Sequence, residues 1–286
     1  MNGCAELLRL NELPFSEKIP VKNVASNSHD VVGDIAIIRV PQGLAPKSSV
    51  IAHAVMQIRS NVKTVLMQTG AVSGDFRLRR LEWVAGERKT LAVHREFGCV
   101  FEVDLTRCYF SPRLSFERKR VASLVQPHEV VVNMFGGVGC FSIVMARHSD
   151  LAKVFSIDLN PFAVEFMRKN VRLNRVQGRV SPLYGDSAVL IRERLSHVAD
   201  RVLMPLPEKA YEYLDCALFA LKPNGGWIHY YDFVHAGKDE EPVEKVRDKV
   251  AAKLSELKMN YAVPFGRVVR ATGPNWYQVV LDIFIG

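Results

Sequence analysis

Three glycines, Gly136, Gly137 and Gly139, crowd into four positions of VVNMFGGVGCFSI (131–143), directly after an apolar run. Asp158 closes the next strand-like run, KVFSID, nineteen positions beyond Gly139. In a doubly wound sheet, the first βα turn and the acid ending the second strand meet at the carboxyl edge, where an adenosine lies with its ribose hydroxyls on the acid. The spacing therefore points to retention of a nucleoside-containing cofactor. A dinucleotide fingerprint needs the third glycine of G-x-G-x-x-G, whereas here Gly139 is followed by CFSIVM, which disfavours a dehydrogenase. S-adenosylmethionine has no pyrophosphate to cradle, so a bare loop suffices for it. Glycines used only for a turn remain the plain alternative. Asp186, in LYGDSA, follows the third strand, where its carboxylate or a neighbouring amide could meet an adenine.

A second group is SPRLSFER (111–118). Ser111 suits an N-cap and Pro112 a first helical position, so a helix should start there and set Arg113 and Glu117 one turn apart on the same side. Two readings are open: an ordinary i, i+4 ion pair on a solvated face, or an acid and a cation aimed at a substrate.

The elements that must position these residues follow from periodicity. From residue 129 onward strand-like and helix-like stretches alternate: EVVVNM then CFSIVMARH, KVFSID then NPFAVEFMRKNVRLN, RVSPLY then SAVLIRERLSHV, DRVLM then EKAYEYLDCALFAL. This βα repetition predicts a mostly parallel sheet covered on both faces. In the helix opened by Asn160 and Pro161, Phe162, Phe166, Met167 and Val171 share one side, and Arg168, Lys169 and Arg172 take the other. A charged helix (239–258) with a solvated face precedes YAVPFGRVVRA and WYQVVLDIFI, which predict a terminal antiparallel pair. Upstream, GDIAIIRV, AHAVMQIRS, KTVLMQ, RRLEWVAG and GCVFEVDL read as a strand, a helix and further strands. The expected organisation is a lead-in over 1–16, a small α+β domain over 17–110, and a Rossmann-like α/β domain over 111–286.

Composition narrows the class. The chain has 286 residues, 48% of them hydrophobic, enough for a full core. Five scattered cysteines without a C-x-x-C spacing suggest neither a disulfide framework nor a metal site. No run of about 18 apolar residues predicts a membrane span, and the expected location is the cytoplasm. A net charge of +8 suits a polyanionic partner. Tyr230, Tyr231, Trp276 and Tyr277 are candidates to stack on an unstacked base, although an aromatic in a strand is more often core. His148, His229 and His235 have no ligand-like spacing and read as structural or surface residues.

Taken in order, YFSPRLSFER (109–118), NMFGGVGCFSI (133–143), SIDLNPFA (156–163), DRVLMPLPEKA (200–210) and GGWIHYYDF (225–233) resemble the archaeal and eukaryotic tRNA (guanine-37 N1)-methyltransferase family. Enzymes of the wybutosine pathway share parts of the pattern. The resemblance runs from about residue 30 onward. It implies a class I methyltransferase domain, S-adenosylmethionine as donor, a tRNA anticodon stem-loop as partner, and a methyl group placed on N1 of the guanosine 3′ to the anticodon. By position it implies Phe135, Gly136, Gly137 and Gly139 along the cofactor, Asp158 on its ribose and Asp186 near its adenine, with Tyr109, Pro205 and Pro207 at the same pocket. It also implies Glu117 as general base, Arg113 beside it, and Arg77 (in GDFRLRRLE) positioning or polarising the guanine. No metal is implied, and a monomer is expected.

The pattern has departures. Asn133 replaces an aspartate, Cys140 a proline, and Pro205 an asparagine that would hydrogen-bond the target base; proline offers neither a side-chain amide nor a backbone donor. The additional N-terminal domain of longer members is expected to be missing or pared down. Three alternatives stay open: methylation of carbon 7 of a tricyclic wyosine precursor as well, aminocarboxypropyl transfer, or tRNA binding without catalysis.

Overall fold

The computed structural model describes residues 29–286. The lead-in expected over 1–16 and the start of the small domain lie outside the described residues. The chain divides into two compact units, residues 1–115 and 116–286, and the division falls inside SPRLSFER, between Ser115 and Phe116.

In the first unit, β1 (His29–Val32) and β2 (Ile35–Ile38) pair antiparallel through the tight turn at Gly33. Helix α1 (Ser48–Ile58) crosses over so that β3 (Thr64–Gln68) runs parallel to β2, and β4 (Leu81–Gly86) pairs antiparallel with β3. Ala36, Ile38, Ile51, Val55, Val65 and Ala85 form the core between helix and sheet. A separate antiparallel pair, β5 (Leu91–Glu96) and β6 (Cys99–Asp104), completes the described part. Strands β1 and β5 escape the sequence reading because each buries only alternate residues of a short, partly polar run.

The second unit opens with α2 (Ser115–Leu124) and contains β7 (Val130–Asn133), α3 (Cys140–His148), β8 (Lys153–Asp158), α4 (Pro161–Leu173), β9 (Val180–Tyr184), α5 (Ser187–Arg194) and β10 (Arg201–Met204). Short helices α6 (Pro207–Ala210) and α7 (Leu214–Ala220), then β11 (Gly226–His235), α8 (Pro242–Glu256), β12 (Tyr261–Gly273) and β13 (Trp276–Ile285) follow. The strands form one sheet in the order β12-β13-β11-β10-β7-β8-β9. Strands β7 to β11 are mutually parallel, while β13 runs antiparallel to β11 and to β12, as the sequence predicts. Strand order reverses at β7, so the glycine loop that follows it lies at a topological switch point, where open α/β sheets hold ligands.

Two local expectations change. The stretch expected as one helix, EKAYEYLDCALFAL, breaks into α6 and α7 around Tyr213, whose hydroxyl is held by Asp186 at 2.6 Å. In α4 the buried stripe is Ala163, Val164, Met167, Asn170 and Val171, and Phe162 is left 39% exposed. Phe162 occupies the first turn of that helix, just past the carboxyl end of β8.

Candidate active site

The glycine loop gets its shape from its neighbours. Asn133 is fully buried; its amide donates to Ser142 Oγ (3.0 Å) and its carbonyl accepts from Phe135 N–H (3.4 Å). An asparagine therefore serves the turn with both ends of its side chain. Gly136 donates to the Ile157 carbonyl at 2.7 Å, which ties the loop to β8. The three glycines are bare for different reasons. A β-carbon at Gly136 would press into Ser156 Oγ and lie 2.9 Å from Met167 Cε, and one at Gly139 would lie 2.8 Å from Met167 Cγ. Gly139 also has φ +94° as the N-cap of α3, followed by Cys140 in the first helical position, where a proline would fit equally well. A β-carbon at Gly137, which has φ +56°, would meet nothing within 4 Å among the described residues. Two glycines thus admit α4, and the third leaves backbone open to a ligand.

Asp158 meets this loop. Its Oδ2 accepts from Gly137 N–H at 2.6 Å and its Oδ1 from Asn160 N–H at 2.9 Å. Burial pushes the carboxyl up from its ordinary value, and the two backbone donors oppose that. Each oxygen keeps a lone pair for a further donor such as a ribose hydroxyl. Asp186 caps α5, accepting from Ala188 N–H (2.8 Å) and Val189 N–H (3.2 Å), while Tyr213 OH takes the other oxygen. Desolvation raises the Tyr213 phenol well above its usual range, so it stays a donor. Phe135 packs edge-on against Tyr213 with ring centroids 5.4 Å apart. Phe135, Gly137, Asp158 and Asp186 thus stand around the switch point, and the cradle fits an adenosine-bearing group. Pro205 lies just past the end of β10, and Pro207 is the buried first residue of α6.

Glu117 is only 1% exposed, so it is not half of a solvated helical pair. Its Oε1 accepts from Arg120 Nε (2.9 Å), Arg120 Nη2 (2.6 Å) and Tyr231 OH (2.8 Å), and its Oε2 from Arg267 Nη2 (2.5 Å). Desolvation works against the charge, but the Arg120 guanidinium, Arg267 and Tyr231 outweigh it and hold the carboxyl below its ordinary value. Arg120 in turn grips Asp282 with both terminal nitrogens, at 2.6 and 3.0 Å. Asp282 accepts from His229 Nδ1 at 2.6 Å, and His229 Nε2 faces Arg201 Nη1 at 2.7 Å. Arg201 closes the row on Glu129 (2.7 Å). Burial lowers the His229 pKa. A neutral ring that donates through Nδ1 and accepts at Nε2 satisfies both neighbours. Tyr231 sits one residue beyond the Tyr230–Met204 pairing that ends β10, and its ring meets Phe141 of α3 edge-on at 6.2 Å. Glu117 is therefore joined through Tyr231 to the first turn after the glycine loop.

The remaining candidates belong to the first unit. Arg77 adopts φ +55° and lies over the Tyr109 ring at 4.8 Å, which brings those two residues together. Arg113 binds Asp30 through Nε at 2.6 Å, and Arg79 binds the same carboxylate at 3.2 Å. The two guanidinium groups hold the Asp30 carboxyl below its ordinary value against desolvation. Arg113 also lines an open cavity of about 480 Å³ with His29, Arg59 and Asn61. Ser111 has the extended backbone of an N-cap but makes no side-chain capping bond, and residues 112–114 form a 3₁₀ turn before α2.

Sequence reasoning missed Arg120, Tyr231 as a hydrogen-bond donor, His229, Arg267 and Asp282. Arg120 and Asp282 stand 162 positions apart and Glu117 and Arg267 150 apart, so no local spacing announces them. Of the aromatic candidates, Tyr230 and Tyr231 are core residues, whereas Trp276 is 47% exposed.

Comparison with known proteins places this geometry. Residues 92–259 match the TRM5/TYW2 methyltransferase domain and residues 14–90 the TYW2 N-terminal domain. The chain is 35% identical to the tRNA (guanine(37)-N(1))-methyltransferase Trm5b of Pyrococcus abyssi, over 97% of this chain and 82% of that protein. It is 39% identical to the tRNA 4-demethylwyosine(37)-methyltransferase Taw21 of Saccharolobus solfataricus, over 89% of this chain and 92% of that protein. A solved complex of aTrm5 with tRNALeu superposes with a TM-score of 0.80 at 34% identity, covering 94% of this chain and 75% of that one. The switch-point glycine loop, the acid that closes β8 and a family match over more than half the length agree: the chain belongs to the TRM5/TYW2 methyltransferase family.

Proposed function

We propose that this protein transfers the methyl group of S-adenosylmethionine to N1 of guanosine 37 in tRNA. The observation that carries the reading is Glu117: a buried carboxylate, kept ionised by its donors and tied through Tyr231 to the helix that follows the glycine loop. Guanine N1 is protonated at neutral pH and is a poor nucleophile until the proton leaves. Glu117 takes that proton, a step worth roughly 10²–10⁴-fold for a positioned base. Negative charge grows on O6 as it does so, and Arg77 stabilises it, with Arg113 beside the base. Phe135, the Gly136–Gly139 loop, Asp158 and Asp186, with Tyr109, Pro205 and Pro207 at the same pocket, hold the cofactor. Bound there, S-adenosylmethionine would supply an already activated methyl group. The partner surface is the anticodon stem-loop, the working unit is a monomer, and the setting is the cytoplasm. The proposed functional division is a small RNA-facing domain over 17–110 and the catalytic domain over 111–286.

The test uses transcripts with guanosine or another base at position 37, labelled cofactor, and wild-type or Glu117→Gln protein. Guanosine-dependent labelling that falls by about 10²–10⁴-fold in the variant supports the reading; equal labelling removes Glu117 from the base role. Pro205 favours a second reading, methylation of carbon 7 of a tricyclic 4-demethylwyosine, because a wider base pocket tolerates loss of the asparagine. Mass spectrometry of tRNA carrying that precursor distinguishes it from N1 methylation and from aminocarboxypropyl transfer.

A further inference from the structure

The four donors on Glu117 are unequal. Oε1 is held by Arg120 and Tyr231, which are 13% and 1% exposed, and Arg120 is itself locked on Asp282. Among the described residues Oε2 is held only by Arg267, whose side chain is 30% exposed and stands on β12, the edge strand of the sheet. Register shifts at Ala262/Phe265 and Val268/Arg270 flank Arg267, and such bulges re-aim side chains. Its guanidinium lies 4.8 Å from the Phe116 ring, which is 66% exposed, and its Nε is buried without a hydrogen-bond partner among the described residues. One guanidinium nitrogen is therefore committed to the outward oxygen of the base, while Nε has an unmet donor.

We propose that Arg267 is a second reader of the target purine, donating to its 6-oxo group while Glu117 Oε2 accepts the N1 proton. The inference rests on the proposed reaction and deepens it. Oε2 has two lone pairs, so it can keep Arg267 and receive N1–H together. Oxygen 6 is bonded to the carbon next to N1, so a guanidinium already on Oε2 is placed to bridge to it. As the proton passes from N1 to Oε2, the N–H electron pair stays on the purine and the charge spreads to O6, beside the cation. Adenine inverts the pattern: it has no proton at N1 and offers an amino donor at position 6, which would meet a donor-only guanidinium. The Glu117–Arg267 pair thereby supplies base selection that Pro205 has no group to provide.

The test compares wild type, Arg267→Gln and Arg267→Lys on stem-loop RNAs carrying guanosine or 2-aminopurine at the target position, the latter lacking both the 6-oxo group and the N1 proton. Single-turnover rates are read across pH, base preference by equilibrium binding, and cofactor binding by calorimetry as the control for folding. The expected result for Arg267→Gln is a rate about 10²–10³-fold lower, with a deficit that narrows as pH rises toward the range where N1 loses its proton unaided. Its preference for guanosine should fall by about tenfold, and Arg267→Lys should recover part of both. Unchanged rate and preference overturn the proposal, as does a loss equal at every pH and accompanied by lost cofactor binding in both variants. If wild-type protein transfers no methyl group to the guanosine RNA, the reaction reading fails, and base preference alone then decides for or against Arg267.

Discussion

At the scale of single residues, the glycine loop separates packing from binding. Gly137→Ala adds a methyl group to open space at a left-handed backbone, a conformation that costs about 1–2 kcal/mol for an L-residue. Gly139→Ala carries the same backbone cost and also drives a β-carbon into Met167. We expect Gly137→Ala to melt only slightly below wild type but to lose cofactor affinity, and Gly139→Ala to lose stability first; thermal melts paired with calorimetry check the order. The same loop shows how much of the site was legible. Gly136, Gly137, Gly139 and Asp158 could be read because their spacing is local and their chemistry is set by backbone geometry. That Gly136 and Gly139 make room for Met167 could not, since it depends on how closely a separate helix packs.

At the scale of elements, β11 links Glu117 to the helix after the glycine loop, because Tyr231 touches both Glu117 and Phe141. Tyr231→Phe removes one donor from Glu117 and leaves the ring against Phe141 in place. A hydrogen bond to a charged group contributes about 1.5–3 kcal/mol, so its loss should raise the Glu117 pKa. The acid limb of the rate profile should then move to higher pH, with cofactor affinity unchanged. An unshifted limb would show that Tyr231 does not tune the base. The βα alternation made β7 to β10 and the β12–β13 pair readable, because apolar period and turn chemistry agree along each one. The Arg120–Asp282–His229–Arg201 row was not readable, because it forms only once α2, β10, β11 and β13 lie side by side.

At the scale of the whole molecule, that row makes the second unit sensitive to acid. Interactions with Arg120 and His229 hold Asp282 well below the ordinary carboxylate range, and those with Arg120 and Arg267 lower Glu117. Both carboxyls are depressed on folding, so their stabilisation is complete above the unfolded value of about 4 and is lost as pH falls through the lower folded values. Asp282→Asn should cost about 3–5 kcal/mol near neutrality, because it leaves Arg120 and its neighbours short of an anion. Its stability should also fall less steeply in acid than that of wild type, which urea melts at several pH values can measure. A steeper fall would show that the row does not carry the linkage. The same ion pair dictates a timetable for biosynthesis. A ribosome adding about 5–20 residues per second needs roughly 8–30 s to travel the 162 positions from Arg120 to Asp282. The first unit is already fully translated when that interval begins, so it can settle while Glu117 and Arg120 wait, half-partnered, for the three strands that complete them.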